Sequence, residues 1–281
     1  MKPRDRRWNN VPLEKLIEDA KKIDTRTVWG GDAITYDTLV RTDALTGKSF
    51  RFVFEDRYMD YTFTDGENLT WSLNGGEEHS EYYLATPGPD HDEIIMVHHF
   101  MTGRELPASF DLIIDLESGY VVGEDSIVGH PAYPREVVRT LFIGKIDGFP
   151  TPPNAFKPEL TRDLVGKAMY WGNPKLTRPP IKYVFGAPEY CTYIMRWAED
   201  NTYFMSSCPC ECVKIKEGLY LCALIEQRQA GFHMFTVMNT KTMHDVQTGF
   251  GYANDPDEYR MHMRCGRVGH WTTMDSIFED L

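Results

Sequence analysis

The chain has 281 residues, 42% of them hydrophobic, and a formal charge of −12 at pH 7. That length allows two domains with a core each. An acidic chain whose basic residues cluster only at Arg4 to Arg7 is unsuited to nucleic acid, whose phosphates need a basic face.

No stretch approaches the ~20 apolar residues of a membrane span. The charged first residues lead into no apolar signal region, so a cytoplasmic protein without a membrane partner is expected. The 6 cysteines then read as reduced thiols rather than a disulfide framework.

Residues Asn10 to Ile23 predict a short helix, with Asn10 as N-cap and Pro12 in the first turn. Leu13, Leu16, Ile17 and Ala20 share one face, and Glu18 and Lys22 form an i,i+4 pair. Such a helix is expected to pack across the end of a barrel, in preference to acting as a lid. From about Asp32 the pattern becomes short alternating runs, such as Phe50-Arg-Phe-Val-Phe-Glu. Turns at Asp65-Gly-Glu-Asn, Asn74-Gly-Gly-Glu and Pro87-Gly-Pro-Asp separate them. Residues 147–163, rich in proline, predict a linker. More short runs follow, through Gly251-Tyr252, to an acidic tail.

The two β-rich halves correspond. Leu45-Thr-Gly-Lys aligns with Leu164-Val-Gly-Lys, Tyr58 to Trp71 with Glu189 to Tyr203, and Phe110 to Gly119 with Met234 to Met243. The offsets are 119, 132 and 124, as insertions and deletions in loops would give. The predicted architecture is all-β: two tandem antiparallel barrels at 41–146 and 164–281, after a helical extension at 1–40.

In a small barrel, inward residues alternate with outward ones and can enclose one ligand. Glu226 and Arg228 fall on one side of a predicted strand. If that side is the lumen, a carboxylate among apolar neighbours suits acid/base work; the alternative is a rim ion pair. Of the adjacent His98 and His99, at most one can face inward, as an acid/base group or a satisfied core residue. Cys208, Cys210 and Cys212 share a face, which permits either a thiolate cluster or ordinary burial as small hydrophobes. Glu211 must point the other way, and no metal is assigned. Among abundant aromatics, Tyr170, Tyr183, Tyr190 and Tyr203 are candidates to receive an aromatic ligand, with Arg196 a cationic one. No P-loop, dinucleotide glycine pattern, nucleophile elbow or zincin helix occurs, which excludes nucleotide hydrolysis and the usual dehydrogenases and leaves no cofactor expected.

The repeated Leu-x-Gly-Lys turns, Glu81-Tyr-Tyr, Glu189-Tyr, Glu217-Gly-Leu-Tyr-Leu, Glu226 and Gly249-Phe-Gly-Tyr resemble the two domains of the MoaF (molybdenum-cofactor-biosynthesis protein F) family. The resemblance implies two calycin-like, lipocalin-type barrels and a link to molybdenum cofactor metabolism, without a defined reaction. The second half is similar, more distantly, to phenolic acid decarboxylases, single barrels that act without a cofactor. Tyr170 and Glu226 fit that pattern. Its arginine falls near Met205-Ser206, leaving Arg196 or Arg228 as substitutes.

Two functions are expected from these residues. The preferred one is a cofactor-independent lyase or isomerase for a small hydrophobic, aromatic or conjugated molecule. Glu226 would carry the proton, with Tyr170, Tyr190 and Arg228 orienting the substrate. The other is a non-catalytic small-molecule-binding protein. A homodimer is compatible with both.

Overall fold

The computed structural model describes residues 11–26, 28, 40–130, 133–172, 181–197, 202–226, 232–254 and 257–273. One helix, α1 (Leu13–Ala20), precedes seventeen strands. The first eight are β1 (Ser49–Val53), β2 (Tyr58–Phe63), β3 (Asn68–Leu73), β4 (His79–Gly88), β5 (His91–Met101), β6 (Ala108–Asp115), β7 (Tyr120–His130) and β8 (Tyr133–Ile146). They pair antiparallel in chain order and close as a barrel through β1 and β8.

A short β9 (Glu159–Leu160) then leads to β10 (Ala168–Gly172), β11 (Ile181–Ala187), β12 (Tyr190–Trp197), β13 (Thr202–Lys216) and β14 (Leu219–Glu226). The last three strands are β15 (Phe232–Asn239), β16 (His244–Asn254) and β17 (Asp257–Thr272). This second sheet runs β12-β11-β10-β17-β16-β15-β14-β13-β9, and a further β12–β13 pairing curls it back on itself. The long β13 makes this possible, because its first half pairs with β12 and its second half with β14. The prediction of two tandem antiparallel barrels holds. No helix among the described residues is long and apolar enough to cross a membrane.

The repeated Leu-x-Gly-Lys turns have a physical reason. Gly47 and Gly166 have φ of 74° and 80°, where a side chain would be strained. Leu45 and Leu164, two residues earlier, are buried against the inner cores of their respective barrels. Each glycine donates its N–H to a phenylalanine carbonyl on the second strand, Phe63 in one copy and Phe185 in the other.

That shared bond corrects the repeat alignment, because 185 − 63 is 122 rather than 132. Tyr61 faces Trp71 across one barrel wall, and Tyr183 faces Tyr193 across the other. Tyr183 is therefore the counterpart of Tyr61, and Tyr193 the counterpart of Trp71. The later offset of 124 stands. Asp115 and Asn239 make matching turns, each side chain accepting N–H bonds from the residues two and three further on.

Helix α1 begins at Leu13 with Pro12 at the cap position and no side-chain cap. Asn10, the expected cap, lies outside the described residues. Leu16 is fully buried in a cluster drawn from both barrels, and its carbonyl accepts the Tyr259 hydroxyl at 2.9 Å. The helix thus contacts both barrels while lying beside the β5–β6 connection of the first.

The two barrels pack side by side through their outer faces. Ile94, Met96, Ile113 and Val122 of the first meet Val213, Leu221, Phe235 and Val246 of the second in one apolar cluster. Strands at this contact are consequently buried on both faces, and all eight residues of β6 are buried. The predicted linker is not wholly free either, since β9 pairs with β13 through Leu160 and Val213.

Candidate functional site

Alternation along β14 puts Tyr220, Cys222 and Leu224 in the inner core of the second barrel and Leu219, Leu221 and Ala223 in the inter-barrel cluster. Glu226 continues the inner row and is buried. The Tyr193 hydroxyl, projecting inward from β12, donates a hydrogen bond to Glu226 Oε2. Burial, reinforced by the Glu226 charge, holds the Tyr193 phenol far above its ordinary pKa, so Tyr193 stays protonated as the donor. Trp171, Tyr183 and Phe185 belong to the same inner core, and the Phe204 ring lies 5.6 Å from that of Tyr193. The result is a carboxylate fixed by a phenol in an aromatic, water-poor enclosure.

The other expected site residues are distributed differently. Tyr183 is inside, as expected. Tyr170 is not: Met169 and Trp171 take the inner positions of β10, while Tyr170 is half-buried and stacks on His270 with ring centroids 4.8 Å apart. Tyr190 and Tyr203 are 53% and 44% exposed, on the outward register of β12 and β13. Strand parity explains all three, because each is one residue away from an inward position. The described structure does not bring them to Glu226. Arg228 lies outside the described residues, as does the side chain of Arg196.

His98 and His99 are both fully buried, in different places. His99 faces the first lumen, where its Nε2 meets the Tyr61 hydroxyl at 2.9 Å. Burial lowers its pKa to about 4, so the ring is neutral. The register Ile94↔Asp115 and Leu219↔Asn239 makes Leu219 the counterpart of Ile94, an offset of 125 along these strands. Glu226 is then the counterpart of Met101, and Leu224 that of His99. In each barrel a buried titratable group meets a tyrosine, His99 with Tyr61 and Glu226 with Tyr193, at different inner positions.

His98 faces the second barrel. Its Nδ1 lies 2.8 Å from Asp111 Oδ1, and its Nε2 lies 3.2 Å from the Gly249 carbonyl oxygen. Asp111 also accepts the Thr248 hydroxyl at 2.5 Å and lies 3.3 Å from His233 Nε2. His233 Nδ1 contacts Ser126 and sits 3.3 Å from Glu124, which Arg139 meets at 3.3 Å. Arg139 reaches on to Glu211 at 2.8 Å. Burial raises Glu124 to about 8 against the opposing pull of Arg139, and lowers His233 to about 3. This network joins the barrels. Sequence reasoning missed it because its members fall on outward positions that alternation assigns to solvent.

With Glu211 outside, the cysteine face is inside. Cys191, Cys208, Cys210, Cys212 and Cys222 are free thiols buried in the second inner core. Sulfur atoms of Cys210, Cys212 and Cys222 all lie within 4.8 Å of one another. Hydrogen bonds from Cys212 and Cys222 lower Cys210 to about 4, while Cys212 and Cys222 themselves are raised. A separate groove of about 270 Å³ lies between α1 and the β5–β6 connection, lined by Ile17, Ala20, Ile23, Phe100, Met101 and Arg104.

Comparison with known proteins bears mainly on the first barrel. No curated protein matches the chain. Among solved structures, a DUF3598-family protein of unknown function from Nostoc punctiforme PCC 73102 is similar at 10% identity, with a TM-score of 0.31. That match covers 78% of this chain and 93% of the other. The likeness to phenolic acid decarboxylases is not shown by these comparisons. A family model described as the MoaF N-terminal domain matches residues 31–127, which take in β1 to β6 and most of β7. Over that segment, about a third of its length, the chain is similar to the MoaF N-terminal domain.

Proposed function

We propose that the second barrel encloses a small aromatic or conjugated molecule and that Glu226 moves a proton on it, in a lyase or isomerase reaction without a cofactor. The observation that carries this reading is the buried Glu226 carboxylate, held by the Tyr193 hydroxyl on the inner face of the barrel. Trp171 and Tyr183 offer flat apolar surface to a conjugated ring. In such surroundings a carboxylate is poorly solvated, which favours its taking a proton from a bound substrate and returning it at a second atom. Tyr193 keeps the carboxylate oriented through both steps.

Glu226→Gln keeps the size and hydrogen-bonding shape of the side chain but cannot carry the proton. It is expected to bind the molecule within a few-fold of the native affinity and to lose about a hundredfold to ten-thousandfold in turnover. Undiminished turnover would refute the assignment. The apolar inner core also suits a non-catalytic carrier, and binding without turnover in the native protein would favour that alternative.

A further inference from the structure

The inner core of the second barrel also holds a group of thiols that proton transfer at Glu226 does not use. Cys222 and Glu226 are four residues apart on β14, about 13 Å along an extended strand, so they lie at different depths of the barrel. Cys212 and Cys222 are direct cross-strand partners, and Cys210 is two residues from Cys212 on the same inward face. All three thiols are buried, and their sulfur atoms lie within 4.8 Å of one another. Three sulfurs around a metal at ~2.3 Å stand about 4 Å apart in a trigonal plane, so only slight side-chain adjustment is needed. Met169, Met238 and Met243 share that inner core, and Met195 and Met234 pack against it.

We propose that Cys210, Cys212 and Cys222 form a binding site for a single soft d10 cation, Cu(I), inside the second barrel. Thiolate donors select soft cations, and the three candidate ligand atoms are all sulfur, where a hard cation would need oxygen. Structural zinc usually takes four ligands in a tetrahedron, whereas Cu(I) is satisfied by three thiolates in a plane. Binding is a proton exchange: each S–H that becomes a ligand releases its proton to solvent as the Cu–S bond forms. Copper stays Cu(I), and no electron is transferred. The site needs neither Glu226 nor Tyr193, so it stands or falls separately from the proposed proton transfer.

The test is an anaerobic titration of the reduced full-length protein with Cu(I) against a chromophoric Cu(I) chelator. The native chain is expected to retain one equivalent and to melt at a higher temperature when loaded. Cys212→Ala and Cys222→Ala should each weaken retention by at least about a hundredfold, more than the loss of an outer contact costs. X-ray absorption of the loaded native protein should show a sulfur-only shell, a readout that survives if a variant fails to fold. Equal copper retention in folded Cys212→Ala and Cys222→Ala variants would overturn the proposal. So would nitrogen or oxygen in the copper shell, or displacement of copper by equimolar zinc.

Discussion

Glu124 and His233 meet in a dry interface that favours the neutral form of both. His233 is held at about 3, below its ordinary 6.5, so its contribution to stability is complete above 6.5 and is lost as pH falls toward 3. His99, held at about 4 by burial, adds to the same acid-side loss. Glu124 is raised from 4.5 to about 8, so its contribution is present below about 4.5 and is lost as pH rises through about 8. Glu124→Gln is therefore expected to flatten the decline in stability between these values, as read from denaturation midpoints across pH. A variant with the native slope would contradict the assignment. At the same scale, the inward direction of Glu226 was legible, because its strand alternates cleanly. Its partner Tyr193 is not, because the sequence repeat sets Tyr193 against Tyr61, ten residues out of step with the strand register. A tyrosine-rich strand supports several registers, and only the backbone bond from Gly166 to Phe185 fixes the right one.

Strands β5 to β7 and β14 to β16 carry polar residues at outward positions that sequence alternation assigns to solvent. In this fold the outward faces meet each other, so Asp111, Glu124 and His233 are desolvated and must satisfy one another. The Leu-x-Gly-Lys turns were readable in advance because each combines a positive-φ glycine with a leucine that plugs its own barrel. Leu45→Ala and Leu164→Ala are each expected to cost about 2–5 kcal/mol. Denaturation should show loss in both, and a native-like midpoint for either would remove that leucine from its plugging role. The seam between β1 and β8 is short, with register pairs at Phe52↔Ile146 and Val53↔Lys145. A Cβ on Gly144 would fall 2.3 Å from the Val53 carbonyl oxygen. Gly144→Ala should therefore spread the seam at a cost of about 1–3 kcal/mol, seen as a lowered melting temperature. An unchanged melt would show that the seam closes more loosely than the structure indicates.

At the scale of the molecule, two barrels share an apolar interface. The interface buries Phe235, Val237 and Phe250 of one barrel against the other, and α1 ties both through Leu16. The chain is expected to unfold in a single transition by tryptophan fluorescence and far-ultraviolet circular dichroism; two separated transitions would show that the halves are energetically independent. The two inner cores differ in chemistry. One holds His99 with Tyr61, and the other holds Glu226 with Tyr193 above a thiol cluster. The similarity to the MoaF N-terminal domain lies in the first barrel, whereas the chemistry proposed for this chain lies in the second.

The central claim is that a conjugated molecule occupies the second barrel against Glu226. It is tested most directly by a crystal structure of the protein with the tightest binder from a screen of small phenols and conjugated acids. The expected result is a molecule lying against Trp171 and Tyr183, with a polar atom in hydrogen-bond reach of Glu226. A molecule seated in the groove under α1, or beside His99 in the first barrel, would contradict the account.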